Sequence, residues 1–147
     1  MKTKILSISI LCMLFSGVAF SQKGKGEKSI VRSVAIKKYH NKAELDRMLK
    51  GELLVLYEER IEALVKSIPY IAFATKPGIT MSSLGIPKDS GNVKALDDQF
   101  EATDEFLEST SEFLGRILPY SDTDDLIAAI LFYEEILKSL HEYSEFH

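Results

Sequence analysis

Residues 93–117 read VKALDDQFEATDEFLESTSEFLGRI, and this stretch decides the fold class. Val93, Leu96, Phe100, Thr103, Leu107, Thr110, Leu114 and Ile117 are spaced alternately three and four apart, a heptad pattern that only a helix can turn into one continuous face. Asp97, Asp98, Glu101, Asp104, Glu105, Glu108 and Glu112 fall between them as an acidic outer face. Phe106 and Phe113 widen the apolar stripe beyond a two-helix seam, which favours a bundle. Pro119 closes the segment, so a helix is predicted over about 92–118.

Working outward, SDTDD at 121–125 supplies a helix cap and first-turn acids that complement the helix dipole. A helix over about 122–143 follows, with Leu126, Ile130, Tyr133, Leu137 and Leu140 as its main stripe. Ile127, Leu131, Phe132 and Ile136 broaden that stripe so far that much of this helix is expected inside. Upstream, Asn41 with Glu44 forms a capping-box pattern. Leu45, Leu49, Leu53, Leu56, Tyr57, Ile61, Leu64, Val65 and Ile68 then recur with a helical period, predicting a helix over about 41–68 that Pro69 stops. Gly51 costs that helix ~1 kcal/mol relative to Ala. The fold class is therefore all-α, a small bundle of three main helices.

Between the first two helices, Pro77, Gly78, Gly85, Pro87 and Gly91 exclude regular structure from most of 70–91. The segment nonetheless carries Ile71, Phe73, Ile79, Met81, Leu84 and Ile86, so it is expected to fold back over the bundle, with one helical turn near Thr80–Leu84. Ile30–Tyr39 fits either a helix or an extended packed arm, and QKGKGEKS at 22–29 reads as a flexible leader. EALVKSIPY (62–70) and EFLGRILPY (112–120) match in residue type at six of nine positions: Glu, Leu, a basic residue, a branched apolar residue, Pro and Tyr. Two helices ending with a cation near the dipole's negative end, an apolar anchor and Pro explain the match without a duplication.

The first residues read as an export signal. Lys2 and Lys4 precede an uncharged stretch from Ile5 to Phe20, and Ala19 and Ser21 fit the small-residue rule for cleavage after Ser21. The stretch is shorter than the ~20 residues that span a bilayer, so no membrane anchor is expected after cleavage. Three domains follow: a signal at 1–21, a basic leader and N-terminal segment at 22–39, and a helical bundle at 40–147. Cleavage removes the only cysteine, Cys12, and two lysines, moving the formal charge from −4 to −6. Thiol chemistry is thereby excluded from the mature chain, and a core of this size is built on burial rather than disulfides.

Charge is unevenly laid out. Nine basic residues face three acidic ones between Lys23 and Lys50, whereas from Asp89 onward three basic residues face fifteen acidic ones. An acidic body repels phosphates, so nucleic acid is not an expected partner.

No motif specifies an enzyme, a metal or a cofactor. Glu134 and His141 lie seven apart on one helical face, but a carboxylate-bridged metal bundle needs Glu-x-x-His pairs, and Lys138 stands three before His141. SDTDD lacks the glycine and terminal glutamate of a calcium loop. The serines of TMSSLG have no partner arrangement for nucleophilic catalysis. What is left is surface. Tyr70, Phe73, Met81, Leu84 and Tyr120 are the candidate contacts around the 70–91 loop, and Glu101, Asp104, Glu105 and Glu108 those on the acidic face. The expectation is a non-catalytic periplasmic or secreted protein that binds another envelope or secreted protein, or itself. The alternative is a carrier with 70–91 as a lid over an apolar cavity lined by Phe73 and Met81.

Overall fold

A computed structural model describes residues 26–32, 34, 36–73 and 78–145. The expected signal segment, and residues 22–25 of the leader, lie outside them. The described chain is mostly helical and contains no strand. Its helices are α1 (Lys42–Leu45), α2 (Lys50–Ser67), α3 (Ser90–Ile117) and α4 (Thr123–Glu145), with single 3-10 turns at Ile68–Tyr70, Ser82–Leu84 and Leu118–Tyr120.

The capping box forms as the sequence dictates. Asn41 Oδ1 accepts from the Glu44 N–H at 3.0 Å, and Glu44 Oε2 accepts from the Asn41 N–H at 3.0 Å. The helix it starts is one turn long rather than continuous to Ile68. The chain turns at Asp46–Met48 and restarts from Leu49, whose N–H donates to Glu52 Oε2 at 2.8 Å. In one straight helix Leu49 would lie between Leu45 and Leu53 on a single apolar face; with the break Leu45 and Leu53 are both fully buried in one cluster and Leu49 is left exposed. Gly51 thus sits in the first turn of α2 instead of mid-helix, where its cost would be largest.

α2 is the central element. Leu53 and Leu56 pack against Leu126, Ile127 and Ile130 near the start of α4, and Ala63 and Leu64 pack against Leu137 further along, so α2 and α4 run parallel. Against α3, α2 runs antiparallel. Lys50 Nζ donates to the carbonyls of Pro119 and Ser121 at 2.8 and 2.6 Å, while Tyr70 stacks edge-on against Phe100 at the other end. Both shared nonapeptides end in the same way, an α-helix tightened into a 3-10 turn with Pro inside it. Their tyrosines diverge, since Tyr70 is buried and Tyr120 is 88% exposed.

The segment expected as a leader is fastened. Residues 26–32, 34 and 36–40 form an extended arm, joined to the 70–91 loop by a bridge between Ser29 and Thr80 and by an Ile30 N–H to Ile79 carbonyl bond of 2.8 Å. Even the Gly- and Lys-rich end takes part: Glu27 accepts from the Ser82 N–H at 3.0 Å, and Lys28 pairs with Asp97. The loop folds back as its apolar content requires. Met81 joins Ile30, Val31, Tyr70 and Phe100 in a core of its own, and the turn at Ser82–Leu84 closes on Gly85 at φ 73°, a conformation suited to glycine.

Candidate functional site

Two features of this fold stand out: a buried polar cluster midway along the α2–α4 pair, and an open half of α3.

The cluster is built on α2, α4 and the arm. Arg60, mid-α2, and Glu134, mid-α4, turn toward each other because both lie on the faces that also carry the buried leucines. Glu134 Oε1 accepts from Arg60 Nε at 3.0 Å and from Nη2 at 2.7 Å, and lies 3.0 Å from His40 Nδ1. The His40 N–H donates to Oε2 at 2.5 Å, and Arg60 Nη2 also donates to the Lys38 carbonyl at 2.8 Å. Burial pushes the Glu134 carboxyl up. The two His40 contacts and the Arg60 guanidinium together outweigh it and hold the group below the ordinary carboxylate range. A carboxylate beside a histidine suggests acid–base work. Here both oxygens are engaged by the chain's own groups, and the arrangement ties the arm to the helix pair. Alongside it Tyr57 and Tyr133 meet through their hydroxyls at 3.3 Å, and burial, followed by the Tyr133 contact, pushes Tyr57 up to about 12.

Glu134 therefore faces Arg60 and His40, and His141 is exposed. Among the described residues no group of three or more His, Cys, Asp or Glu is arranged to hold a metal ion. Nor, among them, is any helix long and apolar enough to cross a membrane.

α3 behaves differently in its two halves. Phe100 and Thr103 are buried, and beyond Thr103 no residue of this helix is. Leu107, Thr110 and Leu114 of the heptad are only half-buried, and Ile117 is 52% exposed. Phe106 and Phe113, expected to widen the core stripe, are 55% and 60% exposed instead. The reason is where α4 goes: it packs against the opposite face of α2, leaving this flank of α3 uncovered. Phe106, Phe113 and Ile117 are spaced seven and four apart, one row along the helix. Phe132 on α4, expected inside, is also 62% exposed.

The residues singled out from the sequence separate accordingly. Tyr70 and Met81 are core, Phe73 is 58% exposed and Leu84 38% exposed, so Phe73 and Met81 do not sit together under a lid. Tyr120 stands at the end of the exposed row on α3. Asp104 is committed to Arg32, accepting from Nη1 and Nη2 at 2.8 Å each, and this contact first of all holds its carboxyl low. Glu101, Glu105 and Glu108, with Glu112, make no ion pair among the described residues and form the outward acidic row.

A groove of about 340 Å³ lies between α2 and α3, with Val55, Ile61, Leu107 and Leu114 at its apolar surface and Glu58, Glu59, Glu62, Lys66 and Asp104 among its polar ones; Glu62 is paired with Lys66 at 2.6 Å, and Glu58 accepts from Ser111 Oγ at 2.9 Å. The sequence gives no notice of it, because Val55 falls off the α2 stripe and the groove depends on how far α3 stands from α2. The incomplete burial of Phe106 and Phe113 was equally invisible, whereas Arg60 and His40 carried no pattern at all. Compared with known proteins, the chain matches no family model, no curated protein and no solved structure.

Proposed function

We propose that this is an exported, non-catalytic helical protein that works by binding another protein of the envelope or the medium through the C-terminal half of α3. The observation that carries this reading is the row Phe106, Phe113 and Ile117, each more than half exposed on a helix whose inner stripe is also incompletely covered. Three large apolar side chains in one row lose hydrophobic stabilisation in water and regain it against a partner. The neighbouring Glu101, Glu105, Glu108 and Glu112 favour a basic partner, by steering the encounter and rejecting acidic surfaces. Export is supported by the basic head, uncharged stretch and small-residue exit of residues 1–21.

The test is affinity capture from the envelope and culture medium with the wild-type chain and with Phe106→Ser/Phe113→Ser. One specific protein is expected with the wild type and not with the variant. Recovery that ignores these two positions overturns the reading.

A further inference from the structure

The chain's own arm displays how α3 receives another segment. Lys28 pairs with Asp97 at 2.6 Å, and four residues later Arg32 pairs with Asp104. Four extended residues span about 13 Å and seven helical ones about 10 Å, so the two pairs keep register along the helix. Between them Ile30 and Val31 are buried against Tyr70 and Phe100, and the Arg32 guanidinium lies 4.4 Å above the Phe100 ring. The pattern is two basic residues bracketing two apolar ones, laid along an acidic helix. Past Arg32 the arm leaves α3, because Val34 and Ile36 pack into the Leu64–Leu137 cluster instead. The groove between α2 and α3 begins where the arm departs, at Asp104, and runs on along Leu107 and Leu114.

We infer that this groove seats a segment of a partner protein in which two lysine or arginine residues bracket a pair of apolar residues, laid along α3 as residues 28–32 are. This rests on the reading of the α3 half as a binding surface and names which partner chemistry fits it. Leu107, Leu114, Ile61 and Val55 receive the apolar pair, and Glu58 and the exposed Glu59 answer the basic residues, since Glu62 is already paired with Lys66 at 2.6 Å. A second copy is the poorer occupant. It brings a second row of free carboxylates to α3, and its two segments of this kind are engaged within the chain: residues 28–32 on their own helix, and residues 47–50 through the Lys50 ammonium, which the Pro119 and Ser121 carbonyls hold.

The probe is a blocked peptide, Gly-Lys-Ser-Ile-Val-Arg-Gly, titrated into the whole chain with methyl NMR, alongside a control carrying Glu in place of Lys and Arg. The expected result is shifts at Val55, Ile61, Leu107 and Leu114, absent with the acidic control. Affinity should fall about tenfold between ~0.05 and ~0.5 M salt, as expected for exposed charges. Glu58→Gln/Glu59→Gln keeps side-chain shape and should weaken binding about tenfold, equivalent to ~1.4 kcal/mol. Unmoved groove methyls, equal binding of the acidic control, or shifts confined to Ile30 and Val31, which signal exchange of arms between copies, each overturn the inference. If the groove fails while capture still depends on Phe106 and Phe113, the partner chemistry named here is wrong and the wider binding reading stands.

Discussion

Arg60 and Glu134, seventy-four residues apart in the chain, form a fully buried ion pair in which Nε and Nη2 of the guanidinium both donate to one carboxylate oxygen. His40 and the Lys38 carbonyl complete it, so one charge pair joins α2, α4 and the arm.

Breaking one side of that pair leaves a buried charge without its partner. Arg60→Met or Glu134→Leu alone should cost about 3–5 kcal/mol of unfolding free energy. The double variant should recover part of this loss, because it removes both charges, with the His40 N–H and Lys38 carbonyl still left short of partners. Urea unfolding of the four proteins measures the cycle.

Acid should act through the same carboxylate. Its folded-state pKa is depressed, so the unfolded chain binds its proton first as pH falls. The stabilisation is present above the unfolded carboxylate value of about 4.3 and is lost as pH drops through the lower folded value. Stability measured from pH 7 downward should therefore fall steeply below about pH 4 in the wild type, and less steeply in Glu134→Gln.

Tyr70 presents the opposite case. Its hydroxyl is buried and has no hydrogen-bond partner among the described residues, while its ring packs on Phe100. Tyr70→Phe keeps the ring and removes the unsatisfied group, so it should leave stability unchanged or raise it by about 1 kcal/mol. A loss of more than that in thermal or urea unfolding would mean the hydroxyl is satisfied.

Arg32 fastens the arm by its Asp104 pair, its bond to the Phe100 carbonyl at 3.0 Å and its stacking on the ring. Arg32→Ala should speed amide exchange at Ile30, whose N–H bonds Ile79, while Leu56 in the α2–α4 core stays protected. Equal loss at both sites would show that the arm unfolds only with the whole molecule.

How far the residues announced this fold follows from what each element depends on. α3 and α4 are set by periodicity and by Pro119, which are local, and their bounds fall within a few residues of those read from the sequence. The break at Asp46–Met48 was hidden, because the apolar period runs on through Leu49 and nothing local marks the turn that leaves Leu49 exposed. The arm was half legible. Its β-branched residues suggest extension, but its anchor, Glu134, lies 94 residues away. The open surface was read backwards: Phe106 and Phe113 look like core on a helical wheel, and are exposed because α4 takes the other side of α2.

The most direct test of the central claim, that the C-terminal half of α3 is a protein-binding surface, is site-specific photo-crosslinking in the intact envelope. A photoreactive phenylalanine at Phe113 should yield one discrete, higher-mass product containing a second protein. The same probe at Lys94, at the other end of α3, should yield none. Uniform smearing from both sites, or no product from Phe113 when the chain is exported and folded, would contradict the account.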